Sequence, residues 1–156
     1  MHKLRIYIDT SVIGGCFDEE FAEWSNMLFD EFIAGKKIAV ISQIVTEELI
    51  NAPDFIKTKL KQIKPDFLIQ IENDDEAEFL ATKYIESKAI SAKFFNDALH
   101  IAIATINNID LLVSWNFKHI VNYNRIILYN SINIKYGYKY LEIRNPKEVV
   151  EYEKEI

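Results

Sequence analysis

The chain has 156 residues, of which 49% are apolar and 27% charged, proportions typical of a folded globular protein and not of a disordered one. Its 18 lysines and arginines against 24 aspartates and glutamates give a net charge of −6. This balance argues against a protein that grips nucleic acid through a large basic surface, but not against one that meets nucleic acid at a metal site.

The length predicts a single domain over residues 1–156. A single cysteine excludes an internal disulfide bond. The N-terminal segment has too short an apolar run for a signal peptide, and no stretch is apolar over the length that a membrane span requires. We therefore expect a cytoplasmic protein with no membrane partner.

Segments with the apolar character of strands alternate along the chain with segments in which apolar residues have helical spacing. In the first half, the predicted elements are a strand at Leu4–Ile8, a helix from about Phe17 to Ile33 that ends at Gly35, a strand at Ile38–Ile41, a helix capped by Ser42, a helical piece from Pro53 to about Ile63 and a strand at Phe67–Ile71. In the second half, they are a helix from Asp74 to about Lys88, a buried helix at Asn96–Ile106, a strand at Leu111–Ser114, a mostly helical stretch from Phe117 to about Tyr136 and a strand at Tyr140–Ile143. This alternation predicts an α/β fold with a central, mainly parallel sheet of four to five strands flanked by helices on both faces. Ligand sites in such sheets form beyond the carboxyl ends of the strands.

Three acidic residues stand beside or within apolar segments, where a chain that only builds a core rarely places a carboxylate. Asp9 follows the first strand, Glu48 lies on the helix after the second strand, and Asp97 opens the most apolar helix. Carboxylates gathered at one sheet edge would repel each other and have raised pKa values, a penalty that a divalent cation would remove. Mg²⁺ or Mn²⁺ fits better than Zn²⁺, because no histidine or cysteine cluster accompanies the acids.

Each of these acids also has a purely structural explanation. Asp9 could hydrogen-bond the turn after it, Asp97 could interact with the helix dipole, and Glu48 could be solvated at a helix edge. Glu47 competes with Glu48 for the same role, although helical spacing places Glu48 on the apolar side. His100, within the apolar helix, is more typical of a core histidine than of a ligand.

Four segments, IYIDTSVI, SQIVTEEL, NDALHIAIA and LLVSWNFKHI, resemble in this order those of the PIN-domain nucleases, and the resemblance covers nearly the whole chain. Many small members of that family are VapC toxins of toxin–antitoxin pairs. The resemblance implies a Rossmann-like parallel sheet and cleavage of RNA that depends on Mg²⁺ or Mn²⁺. It maps the family's catalytic, metal-binding acids onto Asp9, Glu48 and Asp97. It also implies that a hydroxyl at Thr10 or Ser11 helps to position the site.

One departure from the family pattern concerns the fourth acid that often follows the last core strand in a Thr-x-Asp motif. Here the matching segment is SWN, so Ser114 stands for the threonine and Asn116 replaces the acid. An amide oxygen can still ligate a cation but brings no charge, which leaves open whether one or two metal ions bind. Lys118 is a further candidate for substrate positioning, and Lys93 and His119 are candidates for phosphate contacts because they lie near the motifs.

The leading hypothesis is hydrolysis of an RNA phosphodiester at a metal site, in a toxin that is restrained by a small antitoxin protein and that could also form a homodimer. Phe17, Phe21 and Trp24 are candidates for the wall of an antitoxin groove, with simple core packing as the alternative. A second hypothesis is a degenerate, catalytically weak PIN-like binding module, which Asn116 favours. A third hypothesis is a phosphatase that uses Asp9 as a nucleophile. Such an enzyme requires a second aspartate at the position that Ser11 occupies.

Overall fold

An all-parallel sheet of five strands runs through the part of the chain that the computed structural model describes, residues 2–151. Its strands are β1 (Arg5–Ile8), β2 (Ile38–Ser42), β3 (Leu68–Ile71), β4 (Leu111–Val113) and β5 (Glu142–Arg144). Their order across the sheet is β3-β2-β1-β4-β5, so the first strand of the chain lies at the centre. This architecture confirms the predicted α/β fold with a parallel sheet.

Eight helices of the described part of the chain connect and cover the strands. They are α1 (Thr10–Gly15), α2 (Ala22–Ile33), α3 (Gln43–Leu49), α4 (Asp54–Lys61), α5 (Asp75–Glu86), α6 (Phe95–Ile106), α7 (Tyr123–Lys135) and α8 (Pro146–Val149), with short 3₁₀ turns at Pro65–Phe67 and Ala92–Phe94. Within residues 2–151, none of these helices is both long and apolar enough to cross a membrane.

The sheet separates two apolar cores, because successive side chains of a strand point to opposite faces. On β1, the side chain of Tyr7 packs into the core formed with α5, α6 and α7. Ile6 and Ile8 pack into the core formed with α1, α2 and part of α3. Helix α6 is buried almost all round, as its apolar sequence predicts. This packing fixes the position of its first turn, which carries Asp97, relative to the edge of the sheet.

Two predicted helices are shorter than the spacing of apolar residues indicates. The helix expected from Phe17 begins only at Ala22, because Asp9 caps a separate helix, α1, directly after β1, and turns at residues 16–21 reverse the chain. The helix expected from Phe117 begins at Tyr123, where Asn122 accepts a hydrogen bond from the amide of Arg125. Gly35 does end α2, with a φ of 75° that favours glycine.

Candidate active site

Asp9 is the first residue beyond β1, and its carboxylate is almost completely buried, with 5% of the residue exposed. Its Oδ1 accepts hydrogen bonds from the Ser11 hydroxyl at 2.5 Å and the Val12 amide at 3.3 Å. Its Oδ2 accepts one from the Ser114 hydroxyl at 2.6 Å. Asp9 therefore caps α1 as the structural explanation expects, but the same contacts also hold the carboxylate in one orientation at the sheet edge.

The segment after β4 meets Asp9 because β1 and β4 are neighbouring parallel strands whose carboxyl ends coincide. Ser114 directly follows β4, and the amide of Trp115 donates to the Ser11 hydroxyl at 2.9 Å. The Trp115 indole donates to the Ser25 hydroxyl at 2.8 Å. The three polar groups predicted from two distant motifs, Asp9, Ser11 and Ser114, thus form one hydrogen-bonded unit.

Asp97, in the first turn of α6, lies against Asn116. The Asn116 amide nitrogen donates to Asp97 Oδ2 at 3.3 Å, while the Asn116 oxygen accepts from the backbone amides of Lys118 at 3.2 Å and His119 at 3.0 Å. Those two donors fix the orientation of the side-chain amide, since the opposite orientation would set its nitrogen against backbone N–H groups. Asn116 therefore lies at the site with its nitrogen facing the acid, and its oxygen is engaged elsewhere.

A chain of hydrogen bonds leads to Glu48 from the buried hydroxyls of Ser42 and Tyr7. The Ser42 hydroxyl and the Tyr7 hydroxyl are 2.7 Å apart, the Tyr7 hydroxyl lies 2.5 Å from Nδ1 of His100, and Nε2 of His100 lies 3.0 Å from Glu48 Oε1. Burial raises the pKa of Tyr7 far above its ordinary value, so its hydroxyl stays protonated. Nε2 of His100 is the atom that can donate to Glu48, and this contact orients the glutamate.

The neighbouring acid Glu47 points elsewhere. Its Oε1 accepts from the Gln43 side chain at 3.2 Å on the exposed face of α3. Helical phase therefore separates the two glutamates, and Glu48 is the one that contacts His100 and whose charge acts on Asp97.

The electrostatics of the site show that its acids influence one another. Burial raises the pKa of Asp9 above its ordinary value, although His100 and the hydrogen bonds from Ser11 and Ser114 oppose the rise. Burial also raises the pKa of Asp97; His100 opposes this, and the charges of Asp9 and Glu48 add to it. The ionised forms of Asp9 and Asp97 are thus penalised, and the charge of Glu48 acts on Asp97.

These side chains offer oxygen ligands, the type that Mg²⁺ and Mn²⁺ prefer. Across residues 2–151, no group of three or more acidic, histidine or cysteine side chains is placed to hold a metal ion together. Mg²⁺ is commonly held by one or two carboxylates together with water and substrate phosphates, so Asp9 and Asp97 fit an open site of that kind. The pKa values of both acids are raised because their ionised forms are disfavoured, and a bound cation would remove that penalty.

The other residues predicted for the site surround the acids and differ in how far they are buried. The Thr10 hydroxyl is buried and has no hydrogen-bond partner within residues 2–151. The Lys118 side chain is exposed beyond the Asn116 turn, as is that of Lys93 before α6. The His119 ring is buried and stacks on Phe94, with ring centroids 3.7 Å apart.

An aromatic surface adjoins the site on the side of α1. Phe21 stacks on the Trp115 indole with ring centroids 4.2 Å apart, and Phe17 meets Phe55 edge to face at 4.8 Å. Phe17, Phe55 and Phe117 each expose about half of their area. The three rings predicted as a groove wall, Phe17, Phe21 and Trp24, are thus not all buried within the core.

Comparison with known proteins agrees with this geometry. The family model of the PIN domain matches residues 6–118, a range that includes Asp9, Glu48, Asp97 and Asn116. The chain belongs to the PIN-domain family. The resemblance seen in the four sequence motifs is therefore confirmed. Among curated protein sequences, none matches the chain.

Solved structures with the same fold include toxins of toxin–antitoxin systems. VapBC2 from Rickettsia felis, bound to a DNA fragment from its promoter, aligns with a TM-score of 0.56 at 20% identity over 91% of this chain and 98% of its own. VapC20 of Mycobacterium tuberculosis, a toxin that cleaves the sarcin–ricin loop, aligns with a TM-score of 0.53 at 14% identity over 73% of this chain and 92% of its own. A toxin–antitoxin complex from Klebsiella pneumoniae aligns equally well, with a TM-score of 0.53 at 15% identity over 73% of this chain and 88% of its own.

Within this PIN domain, the sequence motifs did not reveal Tyr7 and Ser42 as supports of the site. In the sequence, Tyr7 is indistinguishable from the apolar residues of its buried strand, and Ser42 is explained as a helix cap. Ser42 does stand at the N-cap of α3, but its side chain makes no capping hydrogen bond and instead meets Tyr7. The one available signal was a tyrosine in a strand buried on both faces, since a buried hydroxyl needs a partner.

Proposed function

We propose that the protein is a ribonuclease that depends on Mg²⁺ or Mn²⁺ and hydrolyses RNA phosphodiester bonds. The observation that carries the proposal is the pair of carboxylates, Asp9 and Asp97, held at the carboxyl edge of the sheet with raised pKa values, with Glu48 beside them. A divalent ion bound there would activate water and stabilise the charge that develops on a phosphate.

The residues of the chain have separate roles in this proposal. Asp9 and Asp97 hold the ion, and Ser11 and Ser114 fix the orientation of Asp9 through its two oxygens. Glu48, oriented by His100, completes the acidic set at the more exposed side, where it contacts the ion or a water bound to it. The cluster is half open to solvent at Asp97 and Glu48, so substrate approaches from that side.

Asn116 limits the number of ions in the free protein. Two divalent ions would bring four positive charges to three carboxylates, and Asn116 supplies a neutral N–H donor to Asp97 where an acid would add charge. One ion therefore binds the free protein, and a second binds weakly or only with the phosphate of the substrate.

We further propose that this ribonuclease is the toxin of a toxin–antitoxin pair. The solved structures that share its fold include complexes of that kind. An antitoxin segment would cover the aromatic surface that includes Phe17, Phe21 and Phe117, which lies next to the Trp115 loop of the site. The gene of an antitoxin should adjoin that of this protein.

The proposal is tested by incubating the purified protein with a structured RNA in EDTA, Mg²⁺ or Mn²⁺, next to the Asp97→Asn variant. We expect cleavage only with metal and only by the wild type. In EDTA the variant should unfold at an equal or higher temperature, by up to about 4 °C, because one repelling charge is removed. Cleavage by Asp97→Asn at the wild-type rate would contradict the assignment.

A second candidate function, a PIN-like module that binds partners without cutting RNA, is favoured by the engaged oxygen of Asn116. The same assay separates the two. The binding module predicts no cleavage with either metal at any concentration, in a protein whose fold is intact by circular dichroism.

A further inference from the structure

The basic residues of this acidic chain are unevenly placed. Residues 87–96 and 111–141 contain no aspartate or glutamate, but they contain six cations: Lys88, Lys93, Lys118, Arg125, Lys135 and Lys139. The rest of the chain carries the other 12 cations and all 24 acids. Two segments are thus locally positive in a protein whose net charge is −6, and the first of them leads directly into the helix that carries Asp97.

Four of these cations, Lys88, Lys93, Lys118 and Arg125, belong to the segments before α6 and after β4, which flank the acid cluster. Helix α7 is held to the loop after β4 by the Tyr129 hydroxyl, which donates to the His119 carbonyl at 2.6 Å. One turn earlier on the same helix, Arg125 donates to the Ala89 carbonyl at 2.7 Å, which ties α7 to the segment before α6. Lys88, Ser91, Ala92 and Arg125 line a cavity of about 310 Å³ between these two segments.

A series of contacts connects Lys93, the residue after Ala92 of the cavity lining, to Asp97. Lys93 lies beside the Phe94 ring, with its Nζ 5.8 Å from the ring centroid, and Phe94 stacks on His119. The His119 amide donates to the Asn116 oxygen, and the Asn116 nitrogen donates to Asp97. Lys93 therefore lies at the edge of the acidic site, and the cavity between α7 and the segment before α6 adds Lys88 and Arg125.

The other two cations lie at the opposite end of α7. Lys139 lines a separate cavity with Asn108 and Asp110, next to the residue at which β4 begins. Lys135 is in the last turn of α7, with its Nζ 5.7 Å from the Tyr136 ring. These two lysines are exposed, as Lys88 and Lys93 are, but they lie at the end of α7 away from Asp9 and Asp97.

We infer that Lys88, Lys93 and Arg125 form a strip that binds the phosphate backbone of the RNA on one side of the cleaved bond. This inference rests on the proposed function, because it deepens the same site. An acidic pocket repels a polyanion until metal is bound, so a ribonuclease with this charge needs a local cationic surface to hold its substrate. Arg125 presents a planar, multi-donor group suited to phosphate, and the lysines add point charges.

The test is a titration of a fluorescein-labelled RNA stem–loop in EDTA, followed by anisotropy at 50 to 200 mM salt, where no metal-dependent cleavage occurs. Lys88→Gln/Lys93→Gln is compared with the control Lys135→Gln/Lys139→Gln. We expect the first variant to raise the Kd about tenfold and to lower the salt slope by about two, one per lost phosphate contact. The control should stay within about twofold of the wild type. Arg125→Gln is a second variant, with circular dichroism to verify its fold.

The outcomes separate this inference from the proposed function. If the wild type binds RNA through the strip but does not cut it with Mg²⁺ or Mn²⁺, the proposed nuclease activity fails and the strip stands. If the wild type cuts RNA and the Lys88→Gln/Lys93→Gln variant binds with the wild-type Kd and salt slope, the strip is overturned. Equal losses in both double variants would also overturn it, since general charge would then explain the binding. If the wild type binds no RNA, the strip is also overturned, and an acidic protein segment would remain as the candidate ligand of these cations.

Discussion

At the scale of single residues, Glu48 and Glu47 offer a comparison between adjacent acids of one helix. Glu48 meets His100 at the site, and Glu47 meets Gln43 on the surface. We expect Glu48→Gln to lower the RNA cleavage rate at least about tenfold and Glu47→Gln to change it little. Single-turnover rates at fixed Mg²⁺ check this. The reverse ranking would mean that the wrong face of α3 has been assigned to the site.

Asn116 allows the charge of the site to be changed with almost no change in side-chain size. In Asn116→Asp, one oxygen can keep the backbone donors of Lys118 and His119, which leaves the other against the Asp97 carboxylate. The metal-free variant should therefore unfold at a lower temperature, and Mg²⁺ should bind more tightly, since the fourth carboxylate repels its neighbours until a cation arrives.

Calorimetric Mg²⁺ titrations and cleavage rates across a Mg²⁺ series measure the effect of Asn116→Asp. We expect a gain in rate at low Mg²⁺ and a smaller gain at saturation. Unchanged metal affinity together with an unchanged unfolding temperature would show that residue 116 does not sense the charge of the site.

The residues that the sequence could indicate are those that break an apolar pattern. Asp9, Glu48 and Asp97 stand beside or within apolar segments, and this pattern together with the family resemblance marked them. The orientation of Asn116 could not be foreseen, because it depends on backbone amides two and three residues further along the chain. The role of Tyr7 was hidden for the opposite reason, since a tyrosine fits the pattern of its strand.

At the scale of secondary-structure elements, α1 depends on one of its two glycines. A Cβ at Gly15 would lie 2.6 Å from the Ser25 hydroxyl and 2.7 Å from the Trp115 indole nitrogen, whereas a Cβ at Gly14 would meet nothing within 4 Å. We expect Gly15→Ala to cost about 1–3 kcal/mol of unfolding free energy through overpacking. It should also lower activity by moving Trp115, whose amide contacts Ser11.

Gly14→Ala is the matched control for that change, with an unfolding free energy equal to or slightly above that of the wild type. Urea denaturation of both variants decides the comparison. Equal stability of the two variants would show that the close approach of Trp115 to α1 is not needed for the fold.

Element types were predictable here and element boundaries were less so. The apolar runs of β1, β2 and α6 are long or uniform enough to identify. The starts of α2 and α7 were misplaced because hydrophobic spacing continues through the turns before them, whose aromatic rings, Phe17 and Phe117, pack against Phe55 and Trp115. Asn122 caps the start of α7 with a side-chain hydrogen bond that periodicity does not detect, and α2 begins without a side-chain cap.

At the scale of the whole molecule, a buried ion pair ties the C-terminal end of the described chain to α2. Lys37 contacts the Glu31 carboxylate, and its Nζ donates to the Val149 carbonyl at 3.2 Å. The Glu31 carboxylate also accepts from the Glu151 amide at 2.9 Å. Only 4% of Lys37 and 8% of Glu31 are exposed, so removal of one partner leaves an uncompensated buried charge.

We expect Lys37→Met to lower the unfolding free energy by about 3–5 kcal/mol. The exposed neighbour Lys36 provides a control, because Lys36→Met should change it by less than about 0.5 kcal/mol. Thermal unfolding of both variants measures the difference, and a Lys37→Met protein as stable as the control would show that the pair does not hold the chain end. No pattern in the sequence predicted that this pair contacts Val149 and Glu151, since those residues lie more than 100 positions away along the chain.

The central claim is that Asp9 and Asp97 hold a divalent ion, with Glu48 beside them. The most direct measurement is anomalous scattering from crystals of the wild-type protein soaked in Mn²⁺. We predict one strong anomalous peak within coordination distance of the Asp9 and Asp97 carboxylates, absent from crystals of the Asp97→Asn variant treated in the same way. A wild-type crystal that binds Mn²⁺ elsewhere and shows no peak between those two carboxylates would contradict the account.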